Sequence, residues 1–271
     1  MKLFNTIVGF LKILKQGNYL SIRQFKPVSS NKTLRILGNG KSLNDVELTN
    51  NDNVDYLVVN RHVLGDNYSS IKPSFYVLAD PHFFNHPEGI NIIKEINDNT
   101  FWPLTLYIIH KYNIKHKIQK IINNPNITLV TYNACPFEGY TSIKYLLYNW
   151  QLSMPFVANV LVASIMIGIL KKYPLVELYG VEHTWTKYLF VDEKNIVYLE
   201  NPHFFDKKTA TAQPVKDIQH TNEYPFYLIL KNYSRMFESY WEIKNYLKQS
   251  NKKTRIINCT KGSFIDSFPR K

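Results

Sequence analysis

Short apolar runs recur along the chain, and stretches with helical spacing of apolar positions separate several of them. The runs are continuous rather than strictly alternating, which is typical of parallel strands covered by helices on both faces. The pattern therefore predicts an α/β fold with a doubly wound, mostly parallel sheet. The predicted strands are residues 34–37, 56–59, 75–78, 104–109, 127–131, 176–179 and 256–258.

The chain begins with a basic amphipathic pattern that predicts a helix over residues 1–24. Leu3, Phe4, Ile7 and Leu11 recur at helical spacing, and lysines lie elsewhere on the cylinder. Such a helix binds an anionic membrane surface or docks on the protein itself, and the sequence leaves both open. We expect this helix and a linker to occupy residues 1–30, and one ligand-binding domain to occupy residues 31–271.

Three further segments organise the second half of the chain. Residues 155–170 are apolar on all sides and predict a helix buried against the sheet. Residues 181–219 show little periodicity and many polar positions, which indicates a lid over a site. Residues 226–248 predict a last helix that leads into the final strand.

Charge and composition narrow the class of partner. The net charge of +12 and the pI of about 9.4 favour an anionic partner. No aromatic-interleaved RNA-binding signature or zinc finger accompanies the lysines, so a membrane surface is favoured over nucleic acid. Cys135 and Cys259 match no metal spacing and are expected to be reduced. Neither a spanning run nor a secretory signal is recognisable, so we expect a cytoplasmic protein, peripheral to the inner face of the membrane.

The most informative segment is the turn that follows the first predicted strand. Gly38, Asn39 and Gly40 allow a close backbone approach to a ligand, and Ser42 is placed to cap a helix whose N–H groups attract phosphate. The turn lacks the ending of a Walker loop, and its glycines are too close together for the dinucleotide fingerprint. The pattern predicts a nucleotide site of another kind.

Four more motifs lie at predicted strand ends: Val59-Asn60-Arg61, Ala79-Asp80-Pro81-His82-Phe83-Phe84, Leu178-Tyr179-Gly180-Val181-Glu182-His183 and Asn258-Cys259-Thr260-Lys261-Gly262-Ser263. In this order, after the glycine turn, they resemble the bacterial sialyltransferases of glycosyltransferase family 42. They also resemble related proteins with a Gly-x-Gly-Pro-Ser-Leu turn, among them the flagellin motility-accessory factors and MptE-like enzymes. The resemblance extends over residues 33–268, and Lys41 stands where those proteins carry proline.

The resemblance implies a Rossmann-like GT-A variant fold, a CMP-sugar as donor substrate, no metal or other cofactor, and a lid that closes on the donor. Homo-oligomers are a further family expectation. The positions that match the family's nucleotide and donor contacts are Gly38, Asn39, Gly40 and Asn60. Two positions depart from the family pattern. Asp80 replaces an asparagine, and 157–159 (Val-Ala-Asn) replaces Thr-Ser-Gly, which leaves Asn159 as a donor contact or a structural residue.

An inverting transferase needs a general base for the acceptor hydroxyl, and histidine suits that task near neutral pH. The family places its histidine just after the lid, but alignment from the last strand finds none there. His183, beside Glu182 as an orienting carboxylate, and His220, after the lid, are the candidates, with His183 slightly favoured. Trp185, Lys187 and Tyr188 match the lid region, where Tyr188 or the lysine would bind the leaving phosphate.

The interpretation favoured by these residues is a sialyltransferase-like glycosyltransferase that moves a sugar from a CMP-activated donor to a surface glycan or lipid-linked acceptor. Two alternatives remain open. One is an MptE-like diphosphokinase acting on a pterin, which requires Mg²⁺-ATP. The other is a membrane-associated module of the same fold without catalytic activity.

Overall fold

The computed structural model describes residues 1–16, 24–28, 31–111, 114–200, 203–205, 211–216 and 224–271. All seven predicted strands are confirmed, each within two residues of its predicted bounds. The described strands are β1 (Thr33–Leu37), β2 (Val54–Val59), β3 (Phe75–Leu78), β4 (Leu104–Ile109), β5 (Ile127–Tyr132), β6 (Leu175–Tyr179), β7 (Leu189–Val191), β8 (Val197–Leu199), β9 (Gln213–Pro214) and β10 (Arg255–Asn258).

Seven strands form one sheet in the order β10-β6-β1-β2-β3-β4-β5, and every neighbouring pair is parallel. The chain therefore winds outward from β1 to β5 and then returns to β6 on the other side of β1. This reversal creates a crevice at the carboxyl ends of β1 and β6, where ligands bind in doubly wound sheets. The predicted α/β class is confirmed.

Helices cover both faces of the sheet. The described helices are α1 (Lys2–Lys15), α2 (Tyr68–Ile71), α3 (His82–Asn85), α4 (Pro87–Asn99), α5 (Ile114–Gln119), α6 (Thr141–Asn149), α7 (Val160–Leu170) and α8 (Phe226–Gln249). Helices α7 and α8 pack in one apolar cluster with alternate residues of β1, and α4 packs in a second cluster on the opposite face. The predicted last helix is confirmed as α8.

Helix α7 is buried along its whole length, as predicted, but it begins at Val160 rather than at residue 155. Asn159 has an extended backbone, and its side chain accepts a hydrogen bond of 2.9 Å from the amide of Leu161. An asparagine in this geometry is an N-cap, so residues 155–159 precede the helix instead of forming its first turn.

Helix α1 ends at Lys15, and residues 17–23 of the predicted helix lie outside the described residues. One face of α1 packs on the protein. Thr6 Oγ1 accepts a hydrogen bond from the amide of Tyr140, and Gly9 lies against the ring of Phe137. A second face leaves large apolar side chains exposed, among them Phe4 and Leu11. Among the described helices, none combines the length and the hydropathy of a membrane span.

The stretch predicted as a lid carries more regular structure than its sequence indicated. Strands β7, β8 and β9 form a small antiparallel sheet. Each strand has only two or three residues, which is too short for a period of two to be recognised. That the stretch moves over a site remains a prediction.

Candidate functional site

The loops after β1 and β6 meet in backbone contact. Gly38 donates its amide to Tyr179 O at 2.8 Å, and Gly40 donates to Gly180 O at 2.9 Å. A Cβ atom at Gly38 would overlap the carbonyl of Gly180, and Gly180 itself has φ +63°. Glycine is therefore required at both positions, because only its missing side chain allows this approach.

A cavity of about 310 Å³ lies at this junction. Six of the residues that were expected to contact the nucleotide or donor line it, together with His183, which was considered as a base. These six are Gly38, Asn39, Gly40, Asn60, Asn159 and Tyr188. The fold thus brings together residues from four loops that are far apart in the chain. His220 lies outside the described residues.

Asp80 and Ser42 do not belong to the described wall of this cavity. Asp80 is exposed at the end of β3, where its Oδ1 accepts the amide of His82 at 2.8 Å. Its carboxylate closes the turn that leads into α3, so we find a local structural role for it.

The amide expected to hold a phosphate is occupied by a side chain of the protein itself. Glu182 Oε1 accepts a hydrogen bond of 2.6 Å from the amide of Ser42. A Cβ at Gly40 would overlap Glu182 Oε2, so this glycine makes room for the carboxylate. The expected cap by Ser42 is wrong: Lys41–Asp45 is a short 3-10 helix without a side-chain cap, and Ser42 Oγ is buried without a partner among the described atoms.

Three buried oxygen atoms of the cavity wall have no hydrogen-bond partner among the described residues. They are Asn39 Oδ1, Asn60 Oδ1 and Glu182 Oε2. Asn39 donates its Nδ2 to Val59 O at 3.2 Å, which fixes the orientation of its amide. Asn60 has φ +53°, in the left-handed region that asparagine adopts more readily than most residues with a side chain. Buried polar atoms in native proteins are nearly always paired with protein groups, ordered water or a ligand, so these three acceptors are open to hydrogen-bond donors such as water, hydroxyl groups and amino groups.

His183 is a buried wall residue rather than an accessible base. It is 6% exposed, and its Nε2 shares a hydrogen bond of 2.7 Å with the hydroxyl of Tyr240. Burial lowers the pKa of His183 to about 3, so the imidazole is neutral at physiological pH and a weak base. The expectation that Glu182 orients it is wrong, because one carboxylate oxygen of Glu182 accepts the amide of Ser42 and the other has no partner among the described residues.

Two further wall residues, Glu200 and His203, were not singled out from the sequence. His203 lies in the sequence Pro-His-Phe-Phe at 202–205, a tetrapeptide that also occurs at 81–84. This repeat was the one available signal for it. Trp185 also lines the cavity, with its ring centroid 4.4 Å from that of His183, whereas Lys187 lies over the ring of Phe264 at 4.9 Å.

The charges of the wall are mixed. Lys41 contributes a cation beside the glycine turn, and Glu182 and Glu200 contribute carboxylates. The cavity can therefore place an anionic group near Lys41 and a hydroxyl-rich group near the unpartnered oxygens.

No protein-family model matches this chain, and no curated protein matches it. Similar solved structures include the sialyltransferase CST-II in complex with a trisaccharide acceptor and CMP, at 14% identity and a TM-score of 0.46, covering 88% of this chain and 85% of that chain. The monofunctional α-2,3-sialyltransferase Cst-I from Campylobacter jejuni is 15% identical with a TM-score of 0.46, covering 90% of this chain and 82% of that chain.

Proposed function

We propose that this protein is a sialyltransferase-like glycosyltransferase, which transfers a sugar from a CMP-activated donor to a surface glycan acceptor. The observation that carries the proposal is the cavity between the ends of β1 and β6 with its three buried, unpartnered oxygens. A doubly wound sheet binds nucleotides at this place, and sugar hydroxyls and a base amino group are the donors these oxygens require. The CMP moiety is what the sequence resemblance implies.

Asn39, Asn60 and Glu182 accept hydrogen bonds from the donor in this proposal. The leaving phosphate lies near Lys41 and Tyr188 rather than at the amide of Ser42, because the carboxylate of Glu182 already binds that amide. A lysine and a phenol aimed at the phosphate stabilise the negative charge that develops on it as the glycosidic bond breaks. The proposed reaction needs no metal ion.

The transfer is an inverting displacement. A histidine accepts the proton of the acceptor hydroxyl, the resulting oxygen attacks the anomeric carbon, and CMP leaves with the electron pair of the broken bond. We assign the base to His203, because it lines the cavity and is less deeply buried than His183. His220 remains a second candidate for this role.

We further propose that α1 attaches the protein to an anionic membrane surface, where a lipid-linked or surface glycan acceptor is available. The exposed apolar face of α1 and its lysines support this role. That the protein forms homo-oligomers and that residues 181–219 close over the donor remain predictions from the resemblance.

The test is turnover of a panel of nucleotide sugars. CMP-N-acetylneuraminate, UDP-sugars and GDP-sugars are incubated with a set of oligosaccharides, with and without Mg²⁺, and nucleotide release and glycan mass are measured. We expect CMP release and a matching gain in glycan mass without Mg²⁺. Pyrophosphate transfer from ATP to a pterin would instead support the diphosphokinase, and absence of any turnover would support the inactive module.

A further inference from the structure

Residues 203–205 are anchored to the glycine turn through the backbone of Phe204. Its amide donates to Asn39 O at 3.0 Å, and its carbonyl accepts a bond of 3.2 Å from Nδ2 of Asn44. The two partners lie on either side of Gly40 in the sequence, and Asn39 lines the cavity at the ends of β1 and β6. Both polar backbone groups of Phe204 are thus bound to this turn.

The ring of Phe204 lies in a space that a glycine provides. A Cβ at Gly65 would overlap Cε2 of the ring and would lie 2.5 Å from Cζ. Gly65 has φ −84° and ψ 142°, which any residue adopts, so its glycine is required for the ring and not for the backbone.

His62 covers the ring of Phe204 from another side. The two ring centroids are 4.9 Å apart, with an interplanar angle of 37°. His62 is fully buried, and burial lowers its pKa to about 3. The imidazole is therefore uncharged and packs as a flat neutral ring.

The residue before Phe204 is His203, which lines the donor cavity, whereas the ring of Phe204 points to Gly65 outside it. We infer that Phe204 is a positioning residue, and that its ring, seated at Gly65 against His62, holds His203 in the cavity wall. The inference rests on the proposed function for the role of His203, but the anchoring itself concerns only this chain.

The ring of Phe204 needs the space that Gly65 leaves open, and a small substitution at Gly65 tests this requirement. Gly65→Ala places a methyl group where Cε2 and Cζ of the ring lie, without backbone strain, and should displace the segment. Leucine lacks atoms at those ring positions. The double variant Gly65→Ala/Phe204→Leu should therefore relieve the overlap that the single variant creates. Leu64→Ala, at the exposed neighbour of Gly65, is the matched control.

The first measurement is hydrogen exchange of the amides of 203–205 in the free protein. We expect the amide of Phe204, which is bonded to Asn39 O, to exchange at least about tenfold faster in Gly65→Ala than in the wild type, with partial recovery in the double variant. Leu64→Ala should leave the rate unchanged. Equal rates in Gly65→Ala and the wild type would overturn the anchoring.

The second measurement is release of CMP from CMP-N-acetylneuraminate with an oligosaccharide acceptor. Displacement of a positioned base by about 1 Å lowers kcat by about 100-fold, so we expect that loss in Gly65→Ala with KM for the donor changed by less than about threefold. Recovery of kcat in the double variant would show that the loss in Gly65→Ala comes from the displaced segment and not from a general loss of stability. Faster exchange with kcat unchanged would overturn the inference. If the wild type transfers nothing, the proposed function fails while the exchange result still decides whether Phe204 is anchored.

Discussion

At the scale of single residues, His183 and His203 both line the cavity at the ends of β1 and β6, and His183 is the more deeply buried of the two. We expect His203→Asn to lower kcat by about 100-fold or more, because general-base catalysis contributes about 10²–10⁴-fold. His183→Asn should lower kcat by less than about tenfold and mainly reduce stability, by about 1–3 kcal/mol, because it removes the partner of the Tyr240 hydroxyl. Asparagine tolerates the positive φ of His183, so the variant tests the imidazole alone.

Transfer kinetics and urea unfolding of both variants decide the assignment. A loss of kcat above 100-fold in His183→Asn with His203→Asn active would return the base to His183. A loss in neither variant would direct attention to His220, which lies outside the described residues.

The stability of the protein should depend on pH through two buried histidines. Burial lowers the pKa of both His62 and His183 to about 3, whereas an unfolded histidine has a pKa of about 6.5. The unfolded chain therefore binds two protons that the folded chain does not between these values. These protons stabilise the unfolded chain as the pH falls below about 6.5. The free energy of unfolding therefore decreases by about 2 kcal/mol per histidine between pH 7 and pH 5.

Urea unfolding at pH 7 and pH 5 measures this dependence. The variant His62→Phe keeps a flat ring beside Phe204 but cannot bind a proton. We expect it to lose about 2 kcal/mol less than the wild type on acidification. An equal loss in the two proteins would contradict the pKa of His62.

The glycine turn could be recognised from the sequence because its conformational demands are local, whereas Asn60 was found only through the family resemblance. The role of Glu182 could not be recognised. Its partner Ser42 is 140 residues away, and the bond exists only because β1 and β6 are neighbours in the sheet. The cap expected from Ser42 failed because Lys41–Asp45 is a short 3-10 helix that already contains Ser42 and has Gly40 at its N-cap.

At the scale of elements, α1 presents two different faces. Thr6, Gly9 and Ile13 are buried against the protein, whereas Phe4 and Leu11 are 68% and 59% exposed. Docking on the protein therefore applies to one face of the helix, and the exposed apolar face is the one that the proposed membrane attachment requires.

We expect the double variant Phe4→Ser/Leu11→Ser to reduce binding to anionic phospholipid vesicles by at least about tenfold, because it removes two apolar side chains from the membrane-facing surface. Cosedimentation with vesicles measures the effect. Asn5→Ser, on another face of the same helix, is the control and should bind as the wild type does. Equal binding of both variants would refute the membrane role of α1.

The long strands and the buried helices could be predicted because each spans several periods of the hydrophobic pattern. Strands β7 and β8 have three residues each, so their period could not be distinguished from chance. The start of α7 was misplaced because an apolar pattern does not reveal whether Asn159 caps a helix or continues it.

At the scale of the whole molecule, the order of the strands determines where chemistry can occur. Strand β1 ends at Leu37 and its neighbour β6 begins only at Leu175, yet residues that follow their carboxyl ends line one cavity. Apolar strand runs predicted a parallel sheet but contain no information on which strand lies beside β1. The neighbourhood of β1 and β6 is therefore seen only in the structure.

The central claim is that this cavity binds a CMP moiety through its unpartnered oxygens. Thermal unfolding with CMP and with ATP, each with and without Mg²⁺, tests it in the wild type and in Asn60→Gly, which keeps the positive φ and removes one oxygen. At a concentration about 100 times Kd, CMP should add about 2.7 kcal/mol and raise the Tm of the wild type by about 5 °C without Mg²⁺. The shift should be smaller in Asn60→Gly. Stabilisation by ATP that requires Mg²⁺, or no stabilisation by either nucleotide, would contradict the account.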